Sequence, residues 1–293
     1  MVQDKPGKIF GKICEASAYV SVIVVALIFV FLFAEGTKIF QYETALHFFL
    51  GSDWQPTSEN PRYEIFPLIV GSLLVTAGAM LIAIPLGMGC AIYLSEIARP
   101  SVAEVLKPTI EVLAGVPSVV LGFFALVVLS PLIASTFGLP SGLTALNGAI
   151  ILAIMVIPTI ETISEDALRA VPRGFRDASS ALGATDWETI RRVVVPAALP
   201  GISVAVLLGF GRAIGETMVV LMATGNAAMI PASFLDPVRT MTATVAAEMG
   251  EVAAGSPHYF SLFMIACVLF IISLAVNIIA NSIIKRDSSN AAT

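Results

Sequence analysis

Arg212, Glu216 and Thr217 are the polar residues of this chain that stand inside an apolar stretch with chemistry to offer. They sit in Gly209-Phe210-Gly211-Arg212-Ala213-Ile214-Gly215-Glu216-Thr217, within a hydrophobic run from Ile202 to Thr224. A guanidinium near the centre of a helix in lipid costs about 2.5 to 3.5 kcal/mol on insertion scales, so it asks for a partner or a polar cavity. On a continuous helix Glu216 falls four residues on and shares a face with Arg212. One reading is a self-neutralising structural pair. Against it, the Arg-then-Glu order is the weaker orientation, and an ion pair without a task can be replaced by apolar side chains at little cost. The other reading is a ligand path. A guanidinium suits an oxyanion through paired N–H donors. Glu216 repels a fully ionised anion, yet it accepts a hydrogen bond from a protonated oxygen, which monohydrogen or dihydrogen phosphate offers and sulfate at neutral pH does not. Thr217 adds a hydroxyl. Gly209, Gly211 and Gly215 thin one surface of the helix, so a neighbour or ligand can come close.

The elements that must hold these residues are membrane helices. The 293 residues are 57% hydrophobic and 13% charged, with a mean hydropathy of +0.91, which excludes an ordinary soluble domain and predicts an all-α integral membrane protein. Crossing about 30 Å of hydrocarbon takes roughly 20 helical residues. Six stretches qualify: Ala18 to Ala34, Phe66 to Leu94, Thr109 to Ala134, Thr144 to Ile163, Ile202 to Thr224 and Tyr259 to Ile284. Pro85, Pro117 and Pro158 predict kinks in the second, third and fourth. Lys5, Lys8, Lys12, Arg99, Lys107, Arg169, Arg173, Arg176, Arg191, Arg192, Lys285 and Arg286 gather on one side, against Lys38, Arg62 and Arg239 on the other, so both termini are expected in the cytoplasm. The domains are then a tail and retained signal anchor at 1–36, a periplasmic segment at 37–65, a core at 66–284 and a tail at 285–293. The net charge of -5 comes without a basic patch large enough to recruit nucleic acid.

Between the fourth and fifth spans, at about 164–200, lies the longest polar segment on the basic side. Asp177 to Leu182 reads as a short helix stopped by Gly183, which can take the left-handed conformation of a C-cap. Thr185 and Glu188 fit a capping box that restarts a second helix, on which Trp187, Ile190 and Val194 share a face and which Pro196 ends. Two short helices meeting at a glycine make a knob suited to docking in a groove of another protein. An ordinary helical hairpin is the alternative.

Other residues carry less. Cys14, Cys90 and Cys267 have no ligand spacing, and neither His47 nor His258 has metal-binding company. Glu111 and Glu161 are placed near the cytoplasmic boundary, within reach of water or a basic neighbour. The segment 37–65, with Trp54, Pro56 and Glu64, is either a solvated loop or a contact for an external protein. The segment Asp236 to Gly250 is expected at the outer interface. No G-x-x-x-x-G-K-[ST] phosphate loop occurs, so any nucleotide is hydrolysed by another polypeptide. Physics alone leaves an ion-coupled secondary transporter and a membrane scaffold as competitors.

Two motifs add a resemblance. Asp177, Ala178, Ser179, Gly183, Val193, Val195 and Pro196 fall at the positions of the EAA loop of ABC importer permeases, with Asp for Glu, Ser for the second Ala, and Val for Ile and Leu. From about Phe66 onward, AIYLSEIARP, LAGVPSVVLGFF, GRAIGETMVVLMATGN and DPVRTMTATVAAEMGE resemble phosphate importer permeases of the PstC type, the GRAIGET part being shared with the sister PstA type. The resemblance implies a type I ABC importer permease fold with six transmembrane helices in the bacterial inner membrane. It implies a transport role for Arg212 and Glu216, with Thr217 beside them, and an ATPase-coupling surface at Asp177, Ala178, Ser179, Leu182, Gly183, Ala184, Trp187 and Pro196. Its implied partners are a PstA-type permease, two PstB-type ATPase subunits carrying ATP and Mg2+, and a periplasmic PstS-type phosphate-binding protein. No cofactor is expected on this chain.

Overall fold

The computed structural model describes residues 5–290, with side chains from Phe10 to Ala280 and at Ser282. Among these residues six helical stretches are long and apolar enough to cross a membrane: Phe10–Gln41, Phe66–Ile97, Ser118–Phe137, Ala145–Arg169, Asp186–Gly215 and Pro257–Ala280. The elements in chain order are α1 (Lys5–Gly36), α2 (Ala45–Leu50), a small antiparallel hairpin of β1 (Trp54–Gln55) and β2 (Arg62–Tyr63), α3 (Phe66–Ile92), α4 (Pro100–Ala114), α5 (Ser118–Phe124), α6 (Ser130–Phe137) and α7 (Ala145–Arg169). There follow α8 (Arg173–Ala181), α9 (Asp186–Thr189), α10 (Val195–Gly215), α11 (Met218–Ala223), α12 (Met241–Glu248) and α13 (Pro257–Asn290).

The core is an α3–α7–α10 trio, with α13 against α10 and α1 laid on α13. Val75, Ala79, Ala83, Leu152, Val156, Ile160 and Ala213 fill the space between the three. Small residues let these helices approach. At Gly209 a Cβ would come within 2.9 Å of Ile160 and 3.1 Å of Val156, so the site helix lies directly on α7. Gly211 and Gly215 do not share this task, since a Cβ at Gly211 would be 3.7 Å from Val276 and one at Gly215 would meet nothing.

Two spans differ from the sequence expectation. The third does not begin at Thr109. The chain from Pro100 to Ala114 is a separate helix with no buried residue, and Pro117 stands before α5 rather than inside a helix. Its apolar residues run straight into the span by hydropathy alone, while its geometry is that of a helix on the rim of the bundle. Lys107 ties it to Glu165 of α7 at 2.7 Å. The fifth span begins earlier and ends sooner than Ile202 to Thr224. Pro196 does not end the knob helix, because a π-turn at Ile190–Val194 carries α9 into α10 without a break, with Pro196 in the first turn of α10. A π-turn shifts the hydrogen-bond register where proline lacks its N–H, and the helix passes through.

At the end of the bundle opposite the knob, the segment 37–65 is not a solvated loop. Ile39, Phe48, Trp54, Tyr63 and Ile65 pack with Leu68, Met241 and the start of α13 in a second core. Glu64 is 2% exposed and takes the Asp53 N–H at 2.7 Å.

Candidate functional site: a broken span and a knob

The fifth span breaks where its chemistry lies. After Gly215 the backbone at Glu216 turns extended (φ -68°, ψ 137°), and α11 starts afresh at Met218. Glu216 still follows the last turn of α10, its N–H held by the Ala213 carbonyl at 3.2 Å, yet the self-neutralising pair with Arg212 does not form among the described residues. The Arg212 guanidinium instead donates to the Thr159 hydroxyl of α7 at 2.9 Å, and no acidic side chain among the described residues pairs with it. Glu216 turns a carboxylate oxygen toward the Val219 N–H at 3.5 Å, in the first turn of α11. Thr217 bonds locally to the Gly215 carbonyl at 3.3 Å. Arg212, Glu216 and Thr217 are all half-buried. A guanidinium with one neutral acceptor keeps most of its N–H donors free, which is the state an incoming oxyanion needs.

The break is stabilised by the first turn of α12. The Thr242 hydroxyl donates to the main-chain carbonyl of Glu216 at 2.7 Å. Ser72, Thr76, Thr240 and Thr242 line a small crevice with Glu216. At the end of α12, Glu248 collects Arg239 at 2.7 Å, the Trp54 indole N–H at 3.3 Å and His258 at 2.8 Å, at the wall of a cleft of about 560 Å³. Burial alone pushes the Glu248 carboxyl up, but the His258 hydrogen bond, the Arg239 charge and the Trp54 donor together hold it below its ordinary value. His258 is thus part of a hydrogen-bonded network, not an isolated ring.

At the other end the knob forms as its local signals direct. Gly183 takes φ +83°. Thr185 and Glu188 complete a reciprocal capping box. Ser179 turns inward and its hydroxyl meets that of Thr189 at 2.9 Å, clasping α8 to α9. Trp187 does not share a face with Ile190 and Val194. These two are 6% and 0% exposed, whereas Trp187 is 60% exposed and stands outward beside Leu182 at 90% and Phe175 at 53%. Asp177 and Ala178 are exposed, Ala184 is half-buried, and Pro196 lies further along on α10.

Arg176, which sequence reading treated only as one of several basic residues, is the latch of the knob. Its guanidinium gives two bonds to Glu96 at the end of the second span, at 3.1 and 2.7 Å, and two more to the carbonyls of Val171 and Leu168, at 2.7 and 3.0 Å. The Glu96 hydrogen bonds raise the Arg176 pKa above its ordinary value, overcoming the opposing effect of burial. Glu111 is exposed on α4. Glu161 is only 3% exposed, bonded to Thr162 at 3.1 Å with its other oxygen unpartnered, so it does not reach the water expected of it.

A bundle of spanning helices with a break in one of them and a projecting knob has the type I ABC importer permease fold. The chain belongs to the family described as binding-protein-dependent transport system inner membrane component, whose sequence pattern matches residues 83–287. It is 40% identical over 263 residues to the probable ABC transporter permease protein YqgH of Bacillus subtilis (strain 168), covering 89% of this chain and 85% of that one. It is 33% identical over 297 residues to the phosphate transport system permease protein PstC of Mesorhizobium japonicum, covering 95% and 90%. It is 35% identical over 260 residues to PstC of Xylella fastidiosa (strain 9a5c), covering 82% and 79%. Among solved structures, a chain of a bacterial alginate ABC transporter with its periplasmic protein superposes with a TM-score of 0.62 at 14% identity, covering 96% of each chain. A chain of an amino acid ABC transporter gives 0.53 at 21% identity, covering 76% of this chain and 92% of that one.

Proposed function

We propose that this chain is the PstC-type permease subunit of an ATP-driven phosphate importer, in which Arg212 receives the anion and the α8–α9 knob couples the path to a separate ATPase. The observation that carries the site is the single neutral partner of Arg212: a charge half-buried in the bundle, bonded to Thr159 and to no carboxylate among the described residues, is poised for an oxyanion. Glu216, whose carboxylate is not taken up by Arg212, then serves as acceptor for a protonated phosphate oxygen, and Thr217 lies beside it. Relatives named phosphate transport system permease protein support the choice of anion.

Coupling rests on Leu182, Trp187 and Phe175, apolar side chains held outward with no cover. Exposed apolar groups on a knob fit a groove of a partner. With the knob in the cytoplasm, as the distribution of Lys and Arg indicates, that partner is a pair of PstB-type ATPase subunits carrying ATP and Mg2+. The largely exposed α5 and α6 face is then covered by a PstA-type sister permease, and a PstS-type phosphate-binding protein delivers at the opposite end. ATP-driven closure of the ATPase pair moves the knob, and the spans rock rigidly to change the side on which Arg212 is accessible.

The test is phosphate uptake by the purified assembly in proteoliposomes. Uptake should require ATP and the copurified ATPase. Uptake by this chain alone under an ion gradient, without ATP, would identify an ion-coupled secondary transporter instead.

A further inference from the structure

The break after Gly215 deprives the end of α10 of helical partners, and main-chain groups stranded at such depth must be satisfied by something else. For the Glu216 carbonyl that partner is the hydroxyl of Thr242, 26 residues further along the chain and 2.7 Å away. Thr242 is itself firmly placed. Thr240 caps the first turn of α12 through the Ala243 N–H at 3.2 Å, and the Thr240 and Thr242 hydroxyls lie 3.2 Å apart. From α3, the Ser72 hydroxyl accepts the Met241 N–H at 2.9 Å. The Arg239 carbonyl lies so close to Gly71 that a Cβ there would approach it to 2.5 Å. The far end of the same short segment is pinned by Arg239, Trp54 and His258 around Glu248, at the cleft. One compact piece of chain therefore runs from the outer cleft to the broken span.

We propose that Thr242 is a positioning residue for the transport site, and that Arg239–Glu248 transmits the state of the outer cleft to Glu216 through that one hydroxyl. This rests on the assignment of Arg212 and Glu216 to the anion path. The Glu216 N–H is held by the Ala213 carbonyl at 3.2 Å, so holding its carbonyl as well fixes the backbone from which its carboxylate points. Valine at 242 has nearly the shape of threonine but leaves the carbonyl unpaired beside a crevice of about 10 Å³, roughly the room of a single water.

The experiment is initial-rate uptake of radiolabelled phosphate by the complete importer in proteoliposomes, with assembly checked by copurification of the ATPase. T242V should lower maximal uptake at least tenfold, and T242S should stay within twofold of the native protein. Because Thr242 acts through Glu216, T242V combined with E216Q should be no slower than E216Q alone, whereas independent roles give multiplied losses. S72A, which loosens α12 without touching Glu216, should reduce uptake in the same direction and keeps the test open if T242V does not assemble. Native uptake in T242V or in S72A, or multiplied losses in the double variant, overturns the proposal. If R212Q abolishes uptake while T242V and S72A transport normally, only this proposal falls; if R212Q itself transports normally, the assignment of the anion path falls with it.

Discussion

Replacing Arg176 with methionine keeps most of the side-chain stem and removes the latch of the knob. Four hydrogen bonds disappear, two to Glu96 and two to the carbonyls of Leu168 and Val171. Glu96, whose side chain is 10% exposed, is left as a carboxylate with its cationic partner gone. Breaking a buried pair by removing one member costs about 3 to 5 kcal/mol. Arg176 is 24% exposed, so water screens part of the loss, and about 3 kcal/mol is the appropriate figure. At roughly 1.4 kcal/mol per factor of ten, opening of the segment from Arg173 to Thr189 should become about a hundredfold more frequent. Hydrogen exchange followed by mass spectrometry on the assembled importer reads this directly: α8 amides should exchange about a hundredfold faster, while those of α3 and α7 are unchanged. E96Q in the same background should recover part of the loss, since an amide unpaired in that place costs less than a carboxylate. A change below threefold in R176M would show that the Ser179–Thr189 clasp and the burial of Ile190 and Val194 hold the knob without the latch.

Other expectations follow from the same geometry. T185A removes the capping box and should destabilise the second knob helix by about 1 kcal/mol, read as roughly fivefold faster exchange of the Glu188 amide. A Cβ at Gly183 meets no neighbour, so the effect of G183A is the left-handed backbone penalty of about 1 to 2 kcal/mol, and G183N should be milder. In the network of Arg239, Trp54 and His258 the Glu248 carboxyl is held below its usual value in the folded protein. Its contribution is thus fully present above the ordinary glutamate pKa of about 4.3 and lost as pH falls through the lower folded value. Fluorescence of Trp54, monitored in a variant in which Trp187 is phenylalanine, should report an acid transition in that range, and E248Q should abolish it.

What could be read in the sequence was what is locally encoded. Gly183, Thr185 and Glu188 act within a turn or two of themselves, so the turn at the centre of the knob was legible in the sequence. The break at Glu216 was not, because Gly215 looks like the other glycines of the span and the group that satisfies the broken end, Thr242, lies on another element. Helical spacing had paired Arg212 with Glu216, whereas the Arg212 guanidinium bonds to Thr159 and the Glu216 carboxylate faces the Val219 N–H. Trp187 was assigned to the buried face because Ile190 and Val194 lie at helical spacing from it, but they are 6% and 0% exposed while Trp187 stands at the surface at 60%. Hydropathy merged the end of α4 with the third span because Ile110, Val112 and Leu113 are as apolar as lipid-facing residues within a span.

The charge of Arg212 is the centre of the account, and phosphate uptake by R212K and R212Q importers in proteoliposomes tests it most directly. R212Q should assemble with its ATPase and show no phosphate uptake above background, with R212K severely reduced because a point charge does not reproduce the paired donors of a guanidinium. Uptake at the native rate by an assembled R212Q importer would contradict the account and leave Arg212 a structural partner of Thr159.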